Sequence, residues 1–232
     1  MQAIILAGGK GSRLRPYTTI IPKPLMPVGD VPVLEIIIRR LKKCGFREMV
    51  ISTGYLAGLL RAYFGDGKKL GVKIRYVHEI KPLNTAGALK LAGGLDDNFL
   101  VTNGDILSDV DYGKFLARHK KSGADASVCV TKRKAVIEYG IVEPDDKWRL
   151  ASYSEKPSRL FYVSTGIYAL KRGAVSLIRK GESIGMPDLL LRLKKNGMKV
   201  LCVPHDGFWL DIGRHEDYQK AAELARAGKL KL

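Results

Sequence analysis

Between Gln2 and Thr102, short β-branched apolar runs alternate with stretches of helical period, and this alternation restricts the fold more than any other feature. The runs predict strands at Gln2 to Leu6, Met49 to Ser52, Val72 to Val77 and Phe99 to Thr102. Between the first two, Val33, Ile37, Leu41 and Cys44 form one stripe with Leu34 and Ile38 beside it. Pro32 lies in the first turn and Gly45 just past the end, which marks a helix. Further helices are predicted from Tyr55 to Phe64 and from Thr85 to Leu91. Strands joined through helices run parallel, with right-handed crossovers and both sheet faces covered. The predicted class is therefore α/β, a Rossmann-like three-layer fold.

Past a helix from Tyr112 to Lys120 the pattern becomes nearly continuous strand: Ala126 to Thr131, Tyr139 to Val142, Leu150 to Ser154 and Tyr162 to Leu170. This predicts a strand-rich lid or extension on the same sheet, so the central sheet is mixed but mostly parallel. Helices at Pro187 to Lys195 and Glu216 to Arg226 bracket a strand from Lys199 to Val203 and the segment Phe208-Trp209-Leu210-Asp211. No repeat or linker interrupts the 232 residues, and one domain over 1–232 is expected.

Forty basic against twenty-three acidic residues give a formal charge of +17. Such a field attracts phosphorylated substrates, nucleic acid or anionic lipid, and charge alone does not choose among them. Lys42-Lys43, Lys120-Lys121 and Lys194-Lys195 fall at predicted helix ends, where cations favour the helix dipole. No nucleic-acid module or aromatic-and-basic stripe is visible, so no nucleic-acid partner is expected. Cys44, Cys129 and Cys202 are widely spaced in apolar runs and are expected to be buried thiols, neither disulfides nor a zinc site. The four histidines have no ligand spacing. No apolar run approaches the roughly 20 residues that span a bilayer, and Met1-Gln2-Ala3 lacks a basic leader. The expected location is cytoplasmic, without membrane insertion.

The segment from Ala7 to Pro27 is long, polar and punctuated by Gly and Pro. Gly8, Gly9 and Gly11 directly after a buried strand leave main-chain N–H groups open to an anion. The spacing is neither that of a P-loop nor that of a dinucleotide fingerprint. Arg13 follows, and Lys23 is held between Pro22 and Pro24, whose fixed φ pre-orders it. Asp105 stands at a predicted strand end, where parallel sheets bind ligands.

Leu6-Ala-Gly-Gly-Lys-Gly-Ser-Arg-Leu-Arg-Pro-Tyr-Thr, followed by Pro22-Lys-Pro-Leu-Met-Pro-Val-Gly, resembles the opening of the sugar-1-phosphate nucleotidyltransferases. That family includes mannose-1-phosphate guanylyltransferases and glucose-1-phosphate thymidylyltransferases. Thr85-Ala-Gly-Ala-Leu, Asn103-Gly-Asp105, Tyr139-Gly140, Glu155-Lys156-Pro157, Gly166-Ile-Tyr and Trp209-Leu-Asp-Ile-Gly213 follow in the family's order, from Met1 to about Ala222.

The resemblance implies a nucleoside triphosphate and a sugar 1-phosphate as substrates, Mg²⁺ as cofactor, and an NDP-sugar with pyrophosphate as products. It implies a nucleotidyltransferase fold in which 1–110 mainly binds nucleotide and 111–232 mainly binds sugar phosphate. Arg13 and Lys23 are the implied catalytic cations. Leu6, Ala7, Gly8, Gly9, Gly11, Ser12, Arg13, Lys23, Glu79, Asn84, Thr85 and Gly104 are implied to hold the nucleotide. Tyr139, Gly140, Glu155, Lys156, Ser164 and Gly166 are implied to hold the sugar phosphate.

Asp105 and Asp211 match the family's metal positions, and Mg²⁺ takes one or two carboxylates with phosphate and water. Taken singly, Asp105 could instead cap a turn and Asp211 a helix. Asn84 departs from the usual Gly and Ser164 from a frequent Asn, whereas Ser12 for Thr changes little. Glu79 could accept from both donors of guanine, which favours GTP with a manno-type (mannose or heptose) 1-phosphate; alternatively it braces its loop. Thymidylyl or uridylyl transfer to glucose 1-phosphate is the alternative, and a non-catalytic nucleotide-sugar-binding regulator is the rival of another class. The sequence stops soon after the matched core, so no C-terminal β-helix and no allosteric control through one are expected. A homo-oligomer is left open.

Overall fold

Ala3 and Ile5 face one apolar core and Ile4 faces another, so the first strand already separates two buried layers. The computed structural model describes residues 1–230; positions 231–232 of the expected domain lie outside them. In chain order the elements are β1 (Gln2–Ala7), β2 (Pro27–Val28), β3 (Val31–Pro32), α1 (Val33–Lys43), β4 (Glu48–Thr53), α2 (Ala57–Phe64), β5 (Lys73–His78), α3 (Asn84–Gly87), β6 (Asn98–Asn103) and β7 (Ile106–Ser108). They continue with α4 (Tyr112–Ser122), β8 (Ala126–Val136), β9 (Ile141–Pro144), β10 (Leu150–Ser154), β11 (Ser158–Lys171), α5 (Met186–Lys195), β12 (Val200–Pro204), β13 (Trp209–Asp211) and α6 (His215–Arg226).

Seven strands form one sheet in the order β12-β8-β11-β6-β1-β4-β5. The pairs β1/β4, β1/β6, β4/β5 and β8/β12 are parallel, and β11 is antiparallel to both its neighbours. This is the mixed, mostly parallel α/β sheet expected. On one face, Leu34, Ile37, Ile38 and Leu41 of α1 join Leu60 of α2, Leu116 of α4 and Ala221 of α6. On the other, Ala86 of α3 and Leu189 and Leu193 of α5 pack on Val50, Phe99 and Val101. Because β1 is central and parallel to both neighbours, the carboxyl ends of β1, β4 and β6 open together on one edge.

The outer halves of β8 and β11 leave this sheet as an exposed two-stranded arm, with β9 and β10 paired at its tip. It corresponds to the expected strand-rich extension. The three lysine pairs lie in or beside the last turns of α1, α4 and α5, as expected from the helix dipole. Three details differ from the sequence reading. The helix expected over 85–91 is one α turn followed by a tight 3₁₀ stretch, Ala88–Leu91. The Tyr139 strand begins only at Ile141. Cys129 is buried and Cys44 half-buried, but Cys202 is exposed, because β12 is an edge strand and turns it outward. Among the described residues no helix is long and apolar enough to cross a membrane.

Candidate active site

The loop after β1 and the end of β6 meet because the strands are adjacent and parallel. Gly104 N–H donates to the Leu6 carbonyl at 2.8 Å, and a Cβ on Gly104 would lie 3.0 Å from that oxygen. Gly11 has φ +62°, with Thr18 and Lys23 packed where a side chain would stand. The result is a cavity of about 440 Å³ at the carboxyl ends of the strands. All twelve residues expected to hold the nucleotide line it, from Leu6 to Gly104, and Asp105 lines it too. Pro24, Pro82, Asn103, Ser183 and Gly213 also line it. Ser183 and Gly213 come from beyond residue 110, and only the folded chain places them there.

Lys23 occupies a 3₁₀ turn, Lys23–Leu25, is buried, and forms an ion pair with Asp105 Oδ2. The carboxylate offsets the cost of burying the lysine's charge. The antiparallel pair β7/β13 sets Asp211 against Ile106, and Ile212 N–H donates to the Asp105 carbonyl at 3.0 Å. Two carboxylates a hundred residues apart in sequence are thereby fixed at one edge of the cavity. Gly213 completes the corner: its Cβ position lies 3.3 Å from Asp211 Oδ2 and 3.4 Å from an Arg13 guanidinium nitrogen. Arg13 itself is exposed at the rim.

Burial raises the Asp211 carboxyl above the usual range and the neighbouring Asp105 charge raises it further, while Lys23 and Arg13 oppose the shift. Asp105 Oδ1 is buried without a partner among the described residues. An orphaned acceptor beside a second, repelled carboxylate is the donor set that a hard divalent cation satisfies. No group of three or more His, Cys, Asp and Glu suited to a metal occurs among the described residues, so two carboxylates are what the protein offers.

At the other end of the cavity Glu79 is already engaged. Its Oε1 accepts from Ser52 Oγ at 2.7 Å and its Oε2 from Leu83 N–H at 3.1 Å. A Cβ on Gly8 would lie 2.5 Å from Oε1, so Gly8 leaves room for this carboxylate. Asn84 has φ +63°, a conformation glycine adopts freely and Asn tolerates best among the rest. The change from the family's Gly is therefore conservative for the backbone. Thr85 Oγ1 accepts from Met186 N–H at 2.8 Å, and the Ile184 carbonyl accepts from the N–H groups of Ala86 and Gly87. The segment before α5 thus holds α3 against the cavity.

The six sugar-phosphate candidates are absent from the cavity lining and lie on or near the arm. A Cβ on Gly140 would meet Tyr153 Oη at 2.2 Å, and that hydroxyl donates to Glu155 Oε2 at 3.0 Å. Gly140 and Glu155 therefore meet through Tyr153, a contact sequence spacing did not reveal. Tyr139 is 79% exposed, and Lys156 takes φ +42° at the arm's turn. Ser164 Oγ bonds Tyr168 Oη at 2.9 Å, and Gly166 stands against Asn103. Arg133 lies 4.9 Å over the Trp209 ring and donates to its carbonyl, tying the arm to β13.

A glycine-lined cavity at the carboxyl edge of the parallel strands, with a buried lysine beside two carboxylates, defines an α/β protein whose site has the chemistry to take an anionic ligand. The chain matches the family described as Nucleotidyl transferase over residues 2–227 and belongs to it. It is 34% identical over 242 residues to a UTP–glucose-1-phosphate uridylyltransferase of Synechocystis sp., covering 95% of this chain and 62% of that one. It is 35% identical over 229 residues to a probable mannose-1-phosphate guanylyltransferase of Oryza sativa subsp. japonica, covering 94% and 63%. The chain thus spans less than two thirds of the length of these relatives. Among solved structures, a putative glucose-1-phosphate thymidylyltransferase from Bacillus anthracis in complex with a sucrose superposes with a TM-score of 0.78 at 28% identity, covering 97% of this chain and 95% of that one. HddC from Yersinia pseudotuberculosis, complexed with GMP-PN, superposes with a TM-score of 0.75 at 26% identity, covering 96% and 98%.

Proposed function

We propose that this chain joins a nucleoside triphosphate to a sugar 1-phosphate, releasing pyrophosphate and forming an NDP-sugar in the cytoplasm. The observation that carries this reading is the gathering of Lys23, Arg13, Asp105 and Asp211 at one edge of a glycine-lined cavity. A sugar phosphate oxygen is already an anion, so attack on the α-phosphorus calls for positioning and charge neutralisation, not a general base. Lys23 neutralises charge at the α-phosphate, and Arg13, at the rim, steadies the leaving pyrophosphate. The main-chain N–H groups of the Gly8 to Ser12 loop receive the remaining phosphate oxygens. Asp105 and Asp211 would hold Mg²⁺, which would supply positive charge to neutralise phosphate oxygens. Lys156 reaches the phosphate of the sugar, and Tyr139, Gly140, Glu155, Ser164 and Gly166 surround its hydroxyls.

The favoured pair is GTP with a manno-type 1-phosphate. Glu79 uses one acceptor site on each oxygen, and a carboxylate has about four, so it can still accept from guanine's two adjacent donors. The guanine-nucleotide complex of HddC and the guanylyltransferase relatives agree with this. Uridylyl transfer to glucose 1-phosphate is the second reading, favoured by the Synechocystis relative and by the bracing bonds Glu79 already makes. Comparing kcat/KM for GTP, ATP, UTP, CTP and dTTP, each with mannose-, glucose- and heptose-type 1-phosphates, separates the two. A preference for a pyrimidine triphosphate overturns the guanine reading; no pyrophosphate from any pair overturns the proposed activity.

A further inference from the structure

Asn103 ends β6 at the point where the nucleotide cavity meets the polar face of β11. The register pairs Thr102 with Ile167, so the next position along sets Asn103 opposite Gly166. A Cβ on Gly166 would stand 2.7 Å from Asn103 Nδ2, and Gly166 has φ +77°. Only glycine leaves room for the amide in that conformation. Asn103 lines the cavity, yet its Oδ1 is buried without a hydrogen-bond partner among the described residues. Two steps along β11, Tyr168 pairs with Val101 on the same face, and its hydroxyl bonds Ser164 Oγ. A row of polar groups thus runs from the cavity toward the arm, on a sheet face whose buried residues are mostly apolar.

An amide whose oxygen is buried and unbonded is costly to keep, and the cost is removed when a ligand supplies the missing partner. The ligand chemistry follows from the surroundings. Phosphate oxygens need donors and positive charge, which Lys23, Arg13 and the glycine loop provide. A hydroxyl both donates and accepts, as does an amide, and either end of the amide can be turned toward it by rotation about χ2. We propose that Asn103 is a specificity-determining residue whose amide bonds one hydroxyl of the sugar. This rests on the proposed transfer to a sugar 1-phosphate and extends it to a residue within the cavity, away from the arm.

The test is steady-state pyrophosphate release by the full chain, wild type against Asn103→Ala and Asn103→Ser. Mannose 1-phosphate, glucose 1-phosphate and their 2-, 3-, 4- and 6-deoxy analogues serve as acceptors. Asn103→Ala lowers kcat/KM for the parent sugar 1-phosphate about tenfold or more, with KM for the triphosphate within twofold. With one deoxy analogue, and only that one, wild type and variant become equal. A purely structural role would lower all acceptors alike. Asn103→Ser, smaller but still polar, gives the same pattern if the alanine variant does not fold. Uniform loss across the analogues, or a rise in triphosphate KM alone, overturns the assignment of Asn103 and leaves the transferase reading intact. A wild-type chain inactive with every acceptor overturns both.

Discussion

The main-chain N–H of Ile212 donates to the carbonyl of Asp105, and together with the β7/β13 pairing this bond sets Asp211 beside Asp105, which lines the cavity. If the two carboxylates hold one Mg²⁺, replacing either by Ala lowers kcat by three orders of magnitude or so while the fold persists. Calorimetric titration of Mg²⁺ in the presence of a non-hydrolysable triphosphate checks the cause. Asp105→Ala is expected to lose the metal-binding heat, and retained heat with full turnover in EDTA would contradict the assignment.

The cations divide by position. Lys23 is buried against Asp105 and Arg13 is exposed at the rim. If Lys23 neutralises the α-phosphate as proposed, Lys23→Met is expected chiefly to lower kcat, because the charge lost is one that acts as charge develops in the transition state. Arg13→Ala lowers kcat/KM for the triphosphate, and Lys156→Ala lowers kcat/KM for the sugar 1-phosphate, each by about 10- to 100-fold. Initial-rate matrices with both substrates varied separate these effects. Identical profiles for Arg13→Ala and Lys156→Ala would contradict the division.

The sheet and its sequence of strands and helices were legible because hydrophobic period is a local signal, whereas the twelve residues that line the cavity came from the family resemblance, with only the glycine loop, Arg13 and Lys23 marked by their own chemistry. The pairing of Asp105 with Asp211 was suggested only by resemblance, and the reason for it lies in β7 and β13, three-residue strands too short to carry a period. Ser183 carries no local mark, because it reaches the cavity through tertiary packing. Asn103 and Gly213 stand inside family motifs, but the orphaned oxygen of the one and the cavity-lining place of the other exist only in the fold. Cys202 was misread because an edge strand buries one face less than its apolar sequence suggests.

Glu79 bridges Ser52 and Leu83 while facing the cavity. Glu79→Gln replaces an acceptor with a donor on one side, so the preference for GTP over UTP falls by tenfold or more. An unchanged preference, with lower thermal stability, would mean that Glu79 only braces the loop.

His119 gives a pH dependence separate from catalysis. It is fully buried, its Nδ1 lies 2.8 Å from Ser127 Oγ, and its Nε2 has no partner among the described residues. Burial and then the positive charge of Lys171 push its pKa down to about 4. An unfolded histidine titrates near 6.5, so between the two values the unfolded chain binds a proton that the folded chain refuses. Stability from the neutral ring is complete above about pH 6.5 and is lost as pH falls toward 4, by about 3 kcal/mol. Urea midpoints across this range are expected to fall in the wild type and to fall less in His119→Gln. Equal slopes would contradict the assignment.

The central claim is the transfer itself, and ³¹P NMR of the full chain with Mg²⁺, GTP and mannose 1-phosphate tests it most directly. The expected result is loss of both substrate signals with growth of a diphosphate-sugar pair and of pyrophosphate in equal amounts, absent in Asp105→Ala. Inorganic phosphate from the triphosphate with the sugar 1-phosphate unconsumed, or no change with any base and sugar tried, would contradict it.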